Sequence, residues 1–225
     1  MNCGIIFDCD GVLLDSIHAW HEVDARLARE AGLEFSPADR EALNASTLDE
    51  AAVYFHEHMG VGASVQDVLD TIDEYLLEFY QTSAEANPGA LAFVRTARAA
   101  GVPLCVLSSS PQRFLQAGLG RAGFLDLIDM VLSAEELPAK KRDPILYPQV
   151  CAQMGSVLQN TWLFDDSWYA LAAAKKAGLR GVGVFSTDEC GSHERLGAHS
   201  DFVIDSFEDL PFDAFVQRAA VSGDA

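Results

Sequence analysis

Asp8 and Asp10 stand one residue apart in the stretch IIFDCDGVLLDS, residues 5–16, directly after an apolar run and with no basic neighbour. Two carboxylates at the end of a buried strand can hold a metal, attack an electrophile, move protons, or merely open a turn. Other residues with usable chemistry follow later apolar runs. Ser108, Ser109 and Ser110 come after VPLCVL, Lys140 and Lys141 lie in the loop after MVLS, and Asp165 and Asp166 come after NTWLF. Four carboxylates packed together raise one another's pKa values. A bound divalent cation removes that penalty. Hard oxygen ligands with few imidazoles suit magnesium, which takes one or two carboxylates, waters and a substrate phosphate. An ammonium, hydroxyls and loop N–H groups complete a phosphate-binding set. Alone, an Asp pair is more often a turn or helix cap, a Ser run a loop, and a Lys pair solvated surface. Their order at successive strand ends is what carries the signal. A calcium loop of the EF-hand kind is a poor match, because Val12 stands where that loop needs its third oxygen ligand and a strand precedes it.

These residues converge only if the elements place them on one edge. CGIIF (3–7), VPLCVL (102–107), MVLS (130–133), NTWLF (160–164), GVGVF (181–185) and the weaker DFVID (201–205) read as strands. Helical patterns lie between them. ALAFVRTARAAG opens after Pro88 and Gly89, Ser110 and Pro111 read as a cap and first helical residue, and PILYPQVCAQMG and WYALAAAKKAGL each stop at a glycine. Strands alternating with helices predict an α/β chain with a parallel sheet covered on both faces. Ligands of such a sheet bind beyond the carboxyl ends of its strands, where every candidate lies. Residues 16–83 break the rhythm with helices alone. Ser16 and Gly32 bound one, Thr47 and Glu50 open a second as a capping box, and Ser64 opens a third. The expected organisation is a core of 1–15 and 84–220, a helical insert of 16–83, and a frayed tail at 221–225.

The chain has 225 residues, 49% of them apolar, which allows a large core. Fifteen basic residues against 34 acidic ones give a net charge of −19, which disfavours nucleic acid as a partner. Five widely spaced cysteines with no CxxC pattern argue against a disulfide framework or a zinc site and for a reducing, cytoplasmic setting. The first apolar run is too short for a signal peptide or a membrane span, so no membrane role is expected.

FDCDGVLLDS resembles the first motif, DxDGVxxDS, of the haloacid-dehalogenase-like (HAD) hydrolase superfamily. CVLSSS is similar to its second motif, KKRDPILY to its third and WLFDDSWYALAAAKKAG to its fourth, so the likeness spans nearly the whole chain. It implies a Rossmann-like parallel sheet with helices on both faces and an all-helical cap domain, in a monomer or homodimer. Asp8 would be the nucleophile and Asp10 the acid and base. Mg2+ would be held by Asp8, the Asp10 carbonyl and Asp166, with Asp165 beside them. Ser108, Ser109 and Lys141 would bind phosphate. Arg142 departs from the proline common after the family's lysine, so Lys140 stays an alternative to Lys141. Where many family phosphatases carry an Asp four residues after the metal ligand, this chain has Ala170.

The implied activity is hydrolysis of a small phosphorylated metabolite through an aspartyl-phosphate. Alternatives are a sugar-phosphate mutase like beta-phosphoglucomutase and a catalytically silent binding protein. Asp10 argues against dehalogenation, whose enzymes lack that residue. Residues 16–83 contain no lysine for a Schiff base. Thr47 and Trp20 stand near the positions of a mutase's phosphate-gripping arginine and its histidine. A phosphoacceptor receiver domain has its acidic pair before the acceptor, the reverse of the order here. Three arginines against fourteen acids give the insert a charge of −11, which favours a neutral or cationic leaving group. His18, Trp20, His21 and Tyr54 are the candidates for touching it, although aromatic residues at helical spacing are usually core.

Overall fold

The computed structural model describes residues 3–43, 46–187 and 190–221. Six strands form one sheet: β1 Gly4–Phe7, β2 Leu104–Ser108, β3 Met130–Ser133, β4 Thr161–Asp165, β5 Arg180–Val184 and β6 Phe202–Ile204. Their order is β3-β2-β1-β4-β5-β6, and every pairing is parallel. All six strands fall on the apolar runs read from the sequence, within two residues at each end. The chain first builds to one side of β1 and then returns to its other side with β4. A crevice therefore opens between the carboxyl ends of β1 and β4.

The period-2 alternation sorts side chains to two cores. Ile5, Phe7, Leu104, Val106, Trp162 and Phe164 face one, and Ile6, Cys105, Leu107 and Leu163 face the other. Helices cover both. α5 Ala90–Ala99, α6 Gln112–Arg121 and α10 Phe212–Val221 contribute to the first face, and α7 Leu146–Met154, α8 Trp168–Ala177 and α9 His193–His199 to the second. Phe93 anchors the first core, with ring centroids 6.1 Å from Phe7, 5.3 Å from Phe164 and 5.2 Å from Phe207.

Between β1 and β2 lie α1 Ile17–Glu30, α2 Pro37–Leu43, α3 Leu48–Met59 and α4 Val65–Thr82. The Thr47–Glu50 capping box forms as read, with both reciprocal hydrogen bonds present. Ser64 accepts the Asp67 N–H at the start of α4. The short helix α2 has no counterpart in the sequence reading, nor do α9 and α10. Two cap assignments need correction. Ser16 precedes α1, but its hydroxyl makes no capping bond. Pro111, with an extended ψ of 143°, occupies the cap position of α6, and Ser110 lies outside the helix. Both serine hydroxyls are drawn to Asp10 instead. The expected frayed tail lies outside the described residues except for Val221, which ends α10. No described helix is long and apolar enough to cross a membrane.

Phe93→Ala is expected to destabilise the protein by about 3–5 kcal/mol, since it empties the centre of an aromatic core. Urea unfolding monitored by circular dichroism measures this. A loss below about 1 kcal/mol would show that the cluster does not hold the sheet.

Candidate active site

Asp8 is the first residue beyond β1, and its N–H is tied to the Phe164 carbonyl of β4 at 2.8 Å. Asp165 ends β4 and Asp166 follows, so three carboxylates meet at the crevice between the two strands. One oxygen from each lies within 4.8 Å of the others, and all three residues are buried. Lys141 enters this cluster. Its Nζ sits 2.9 Å from Asp8 Oδ2 and 2.7 Å from Asp165 Oδ2, with only 3% of the side chain exposed. Tyr147 pins the lysine's loop, its hydroxyl lying 2.7 Å from the Lys141 carbonyl and 3.0 Å from that of Ala170. Lys140 turns the other way, and its Nζ donates to the carbonyls of Ala134 and Glu135 at 3.2 Å. Of the two lysines left open by the sequence, only Lys141 reaches the acids.

The chain does not stay extended through Asp10. It turns at Cys9, whose carbonyl accepts the N–H groups of Leu13 and Leu14, both at 2.9 Å. Cys9 itself joins the apolar core, while Asp8 and Asp10 both line the cavity. Gly11 makes this turn possible with φ +73°, and a Cβ there would stand 2.4 Å from Asp166 Oδ2. Only glycine allows both the backbone conformation and the close approach of that carboxylate.

Asp8 and Asp10 have different surroundings. The Cys9 N–H donates to Asp8 Oδ1 at 2.7 Å, and Lys141 faces Oδ2. Asp10 meets hydroxyls: Ser16 Oγ donates to its Oδ1 at 2.6 Å, Tyr80 donates to the same oxygen, and Ser110 Oγ donates to Oδ2 at 2.5 Å. Asp166 accepts Ser186 Oγ at 2.6 Å and Ser167 Oγ at 3.2 Å. Tyr80 and Ser186 were not singled out from sequence. Ser16 was, as a helix cap, and Ser110 both as a cap and as one of the hydroxyls after β2. Tyr80 sits in an apolar helical stripe 70 positions from Asp10, where nothing local distinguishes it from core.

Electrostatics make the cluster unusual. Burial pushes Asp8 up, Lys141 pulls it back, Asp165 and Asp10 raise it again, and the balance lies at about 7. Burial and then the Asp8 charge raise Asp166 to about 6. Burial also raises Asp165, against the pull of Lys141. Lys141 would lose basicity by burial alone, but Asp165 and Asp8 outweigh that and hold it well above its ordinary value. Among the described residues the Lys141 ammonium, at 2.7 Å, is the one partner of Asp165 Oδ2. A buried, under-satisfied, all-oxygen donor set with excess negative charge fits a hard divalent cation. Asp8, Asp165 and Asp166 are the carboxylates that could hold it. The carboxylate of Asp10 is engaged by hydroxyls and is not part of that group.

Above the acids lies a cavity of about 220 Å³. Asp8, Asp10, Ser108, Ser109, Ser110, Lys141 and Asp166 line it from the sheet side, and Trp20, Val23, Asp24, Thr47 and Leu48 from the helical insert. Ser108 is buried, and its Oγ accepts the Ser110 N–H at 3.2 Å. Ser109 is exposed to the cavity. Of the four candidates in the insert, only Trp20 lines this space. His18 and His21 line a different cleft of about 290 Å³ beside Asp15, Asn87 and Phe185. The helical period explains the split, because it sets Trp20, Val23 and Asp24 on one face of α1 and the two histidines on another. Tyr54 stays inside the insert, donating to Asp39 Oδ1 at 2.7 Å and stacking on His58. Asp24 and Glu135, which also line the cavity, were missed.

The family model for haloacid dehalogenase-like hydrolases matches residues 4–178. The chain belongs to that family. Among curated relatives of this HAD-like hydrolase is the validoxylamine A 7'-phosphate phosphatase of Streptomyces hygroscopicus subsp. limoneus. The two are 28% identical over 186 residues, covering 82% of this chain and 86% of the relative. A phosphorylated carbohydrates phosphatase of Thermotoga maritima is 25% identical over 181 residues, covering 79% of this chain and 82% of that one. The crystal structure of a beta-phosphoglucomutase from Clostridium difficile superposes with a TM-score of 0.78 over 99% of both chains, at 19% identity. At that identity the likeness concerns the fold.

The raised carboxyl values set a pH dependence. Folded Asp8 takes up its proton at about 7 rather than 3.8, so between these values the folded form binds more protons than the unfolded one. Cation-free stability therefore falls as pH rises through this window. A divalent cation held by these acids would favour their ionised form, so its stabilisation would grow over the same range. Melting curves at about pH 5 and about pH 8, with and without the cation, are expected to show a larger cation shift at the higher pH. Equal shifts at both would contradict this electrostatic picture.

Proposed function

We propose that the protein is a Mg2+-dependent phosphomonoester hydrolase that works through a phosphoryl group on Asp8. The observation that carries the reading is the pairing of unlike surroundings. Asp8 faces an ammonium at 2.9 Å inside a cluster of acids, while Asp10, two residues on, faces three hydroxyls. Asp8, Asp166 and the Asp10 carbonyl, with Asp165 alongside, would hold Mg2+. Bound there, the cation offsets the repulsion between Asp8 and Asp166 and supplies positive charge to the phosphoryl oxygens.

The chain's own groups supply the rest. A carboxylate oxygen of Asp8 attacks phosphorus as the bond to the leaving oxygen breaks, and Asp10 gives that oxygen its proton. The products are a free alcohol, an acyl phosphate on Asp8 and an Asp10 carboxylate. Asp10 then takes a proton from water as the water oxygen attacks phosphorus. The Asp8–phosphorus bond breaks, restoring the Asp8 carboxylate and releasing phosphate. Lys141, Ser108 and Ser109 hold the phosphoryl oxygens, with Lys141 balancing the charge that builds on them.

Residues 16–83 act as a cap that closes the cavity and chooses the substrate. Among the described residues, Lys141 is the sole cation on the cavity lining, while Asp24 and Glu135 add carboxylates. Lys140 and Arg142 border an adjoining recess of about 30 Å³, which shares Thr47, Ser109, Glu135 and Lys141 with the cavity. The fitting substrates are small metabolites with a neutral or cationic leaving group, such as sugar, polyol or amino-alcohol monophosphates. The relative named for phosphorylated carbohydrates supports this class. Thr47 and Trp20 line the cavity where a mutase would grip and move a second phosphate, which favours hydrolysis. The five cysteines are all free, in keeping with a cytoplasmic enzyme.

A screen of small phosphomonoesters with Mg2+ tests this reading. Asp8→Asn is expected to lower kcat by about a thousandfold or more, and chelation to abolish turnover. Equal activity in wild type and variant would remove the proposed nucleophile. Within the screen, polyol or amino-alcohol monophosphates are expected to exceed phosphoglycolate in kcat/KM by about tenfold. A preference for phosphoglycolate or a bisphosphate would overturn the substrate class.

A further inference from the structure

Asp10 Oδ1 is occupied by two donors from different parts of the chain. Ser16 belongs to the connection into the insert, and Tyr80 stands on the last turn of α4, just before the connection out of it. Tyr80 is fully buried and its ring stacks on Phe114 of α6, centroids 5.3 Å apart. Gly118 of α6 leaves the space that this ring fills, since a Cβ there would lie 2.7 Å from Tyr80 Cδ1. The direction of the hydrogen bonds follows from the donor chemistry. Trp20 Nε1 lies 3.0 Å from Tyr80 Oη. An indole N–H can only donate, so the phenol oxygen accepts it and the phenol proton points to Asp10.

Resting on the hydrolase reading above, we propose that Tyr80 is a positioning residue for Asp10, holding Oδ1 as the unprotonated oxygen so that the transferable proton resides on Oδ2. The phenol proton, fixed toward Oδ1 by the Trp20 bond, competes with any proton placed on that oxygen, whereas the Ser16 and Ser110 hydroxyls can each turn to accept or to donate. Among the described residues Oδ2 has Ser110 as its one hydrogen-bond partner, and a serine hydroxyl can accept from a carboxylic acid as readily as it donates to a carboxylate. The proton therefore leaves from the oxygen that the tyrosine does not touch. Because Trp20 and Tyr80 both come from the insert, the carboxyl group of the core is oriented by the element that covers the cavity.

The dependence of kcat/KM on the leaving group tests this. The first P–O cleavage needs Asp10's proton for an alkoxide but hardly for a nitrophenolate. Wild-type protein and Tyr80→Phe are compared on alkyl monophosphates and on p-nitrophenyl phosphate, both with Mg2+. The expected result is a loss on alkyl phosphates about tenfold greater than on p-nitrophenyl phosphate, a part of what a well-placed general acid supplies. Trp20→Phe, which keeps the phenol but removes its fixed orientation, is expected to shift the ratio the same way by a smaller factor. It also provides the test if Tyr80→Phe does not fold. Equal losses on both substrate types in the folded variants would overturn the proposal, because a merely structural role lowers both alike. That outcome leaves the hydrolase reading standing if Asp8→Asn is inactive; an active Asp8→Asn removes that reading first.

Discussion

One buried ammonium holds together a site that would otherwise repel itself. Asp8, Asp165 and Asp166 crowd the crevice between β1 and β4, and Lys141 is the charge placed among them. Removing it would leave three acids in a region that water barely reaches, at a cost of several kcal/mol or their loss of ionisation. Much of the architecture serves this arrangement. The reversal of strand order opens the crevice, Tyr147 pins the lysine's loop, and Gly11 lets Asp166 approach. The remaining negative charge is what a divalent cation would complete.

The same crevice separates two carboxylates by their surroundings. Asp8 sits among charges and is pushed up to about 7 by burial, against the pull of Lys141. Asp10 sits among hydroxyls, two of them brought by the connection into the insert and by its last helix. Environments of different kinds allow neighbouring acids to take different chemical parts. The helical insert is thereby joined to Asp10 as well as to the cavity wall.

The sheet and most of the candidate site were legible because their signals are local. Apolar runs ending in acids, serines or a lysine announce strand ends, and a parallel sheet gathers strand ends on one edge. Asp8, Asp10, Ser108, Lys141 and Asp166 meet around one cavity for that reason. What could not be read depended on packing between distant segments. Tyr80 looks like any apolar helix residue until α4 docks on α6. Ser16 and Ser110 fit helix-cap patterns, but a nearby carboxylate is a stronger acceptor for their hydroxyls than any helix end is a donor to them. His18 and His21 share a helix with Trp20 and were grouped with it, although rotation about the helix axis sends them to another cleft.

The central claim is that Asp8 bonds to phosphorus, and a chemical trap tests it most directly. The protein is mixed with a phosphomonoester and Mg2+, quenched in acid within one turnover, reduced with borohydride and mapped by peptide mass spectrometry. Borohydride converts an acyl phosphate of aspartate to homoserine and leaves a free carboxylate unchanged. The account predicts homoserine at position 8 in the wild type and its absence without substrate. An unmodified Asp8 during turnover, or a phosphoryl group carried by Ser108 or Asp166 instead, would contradict it.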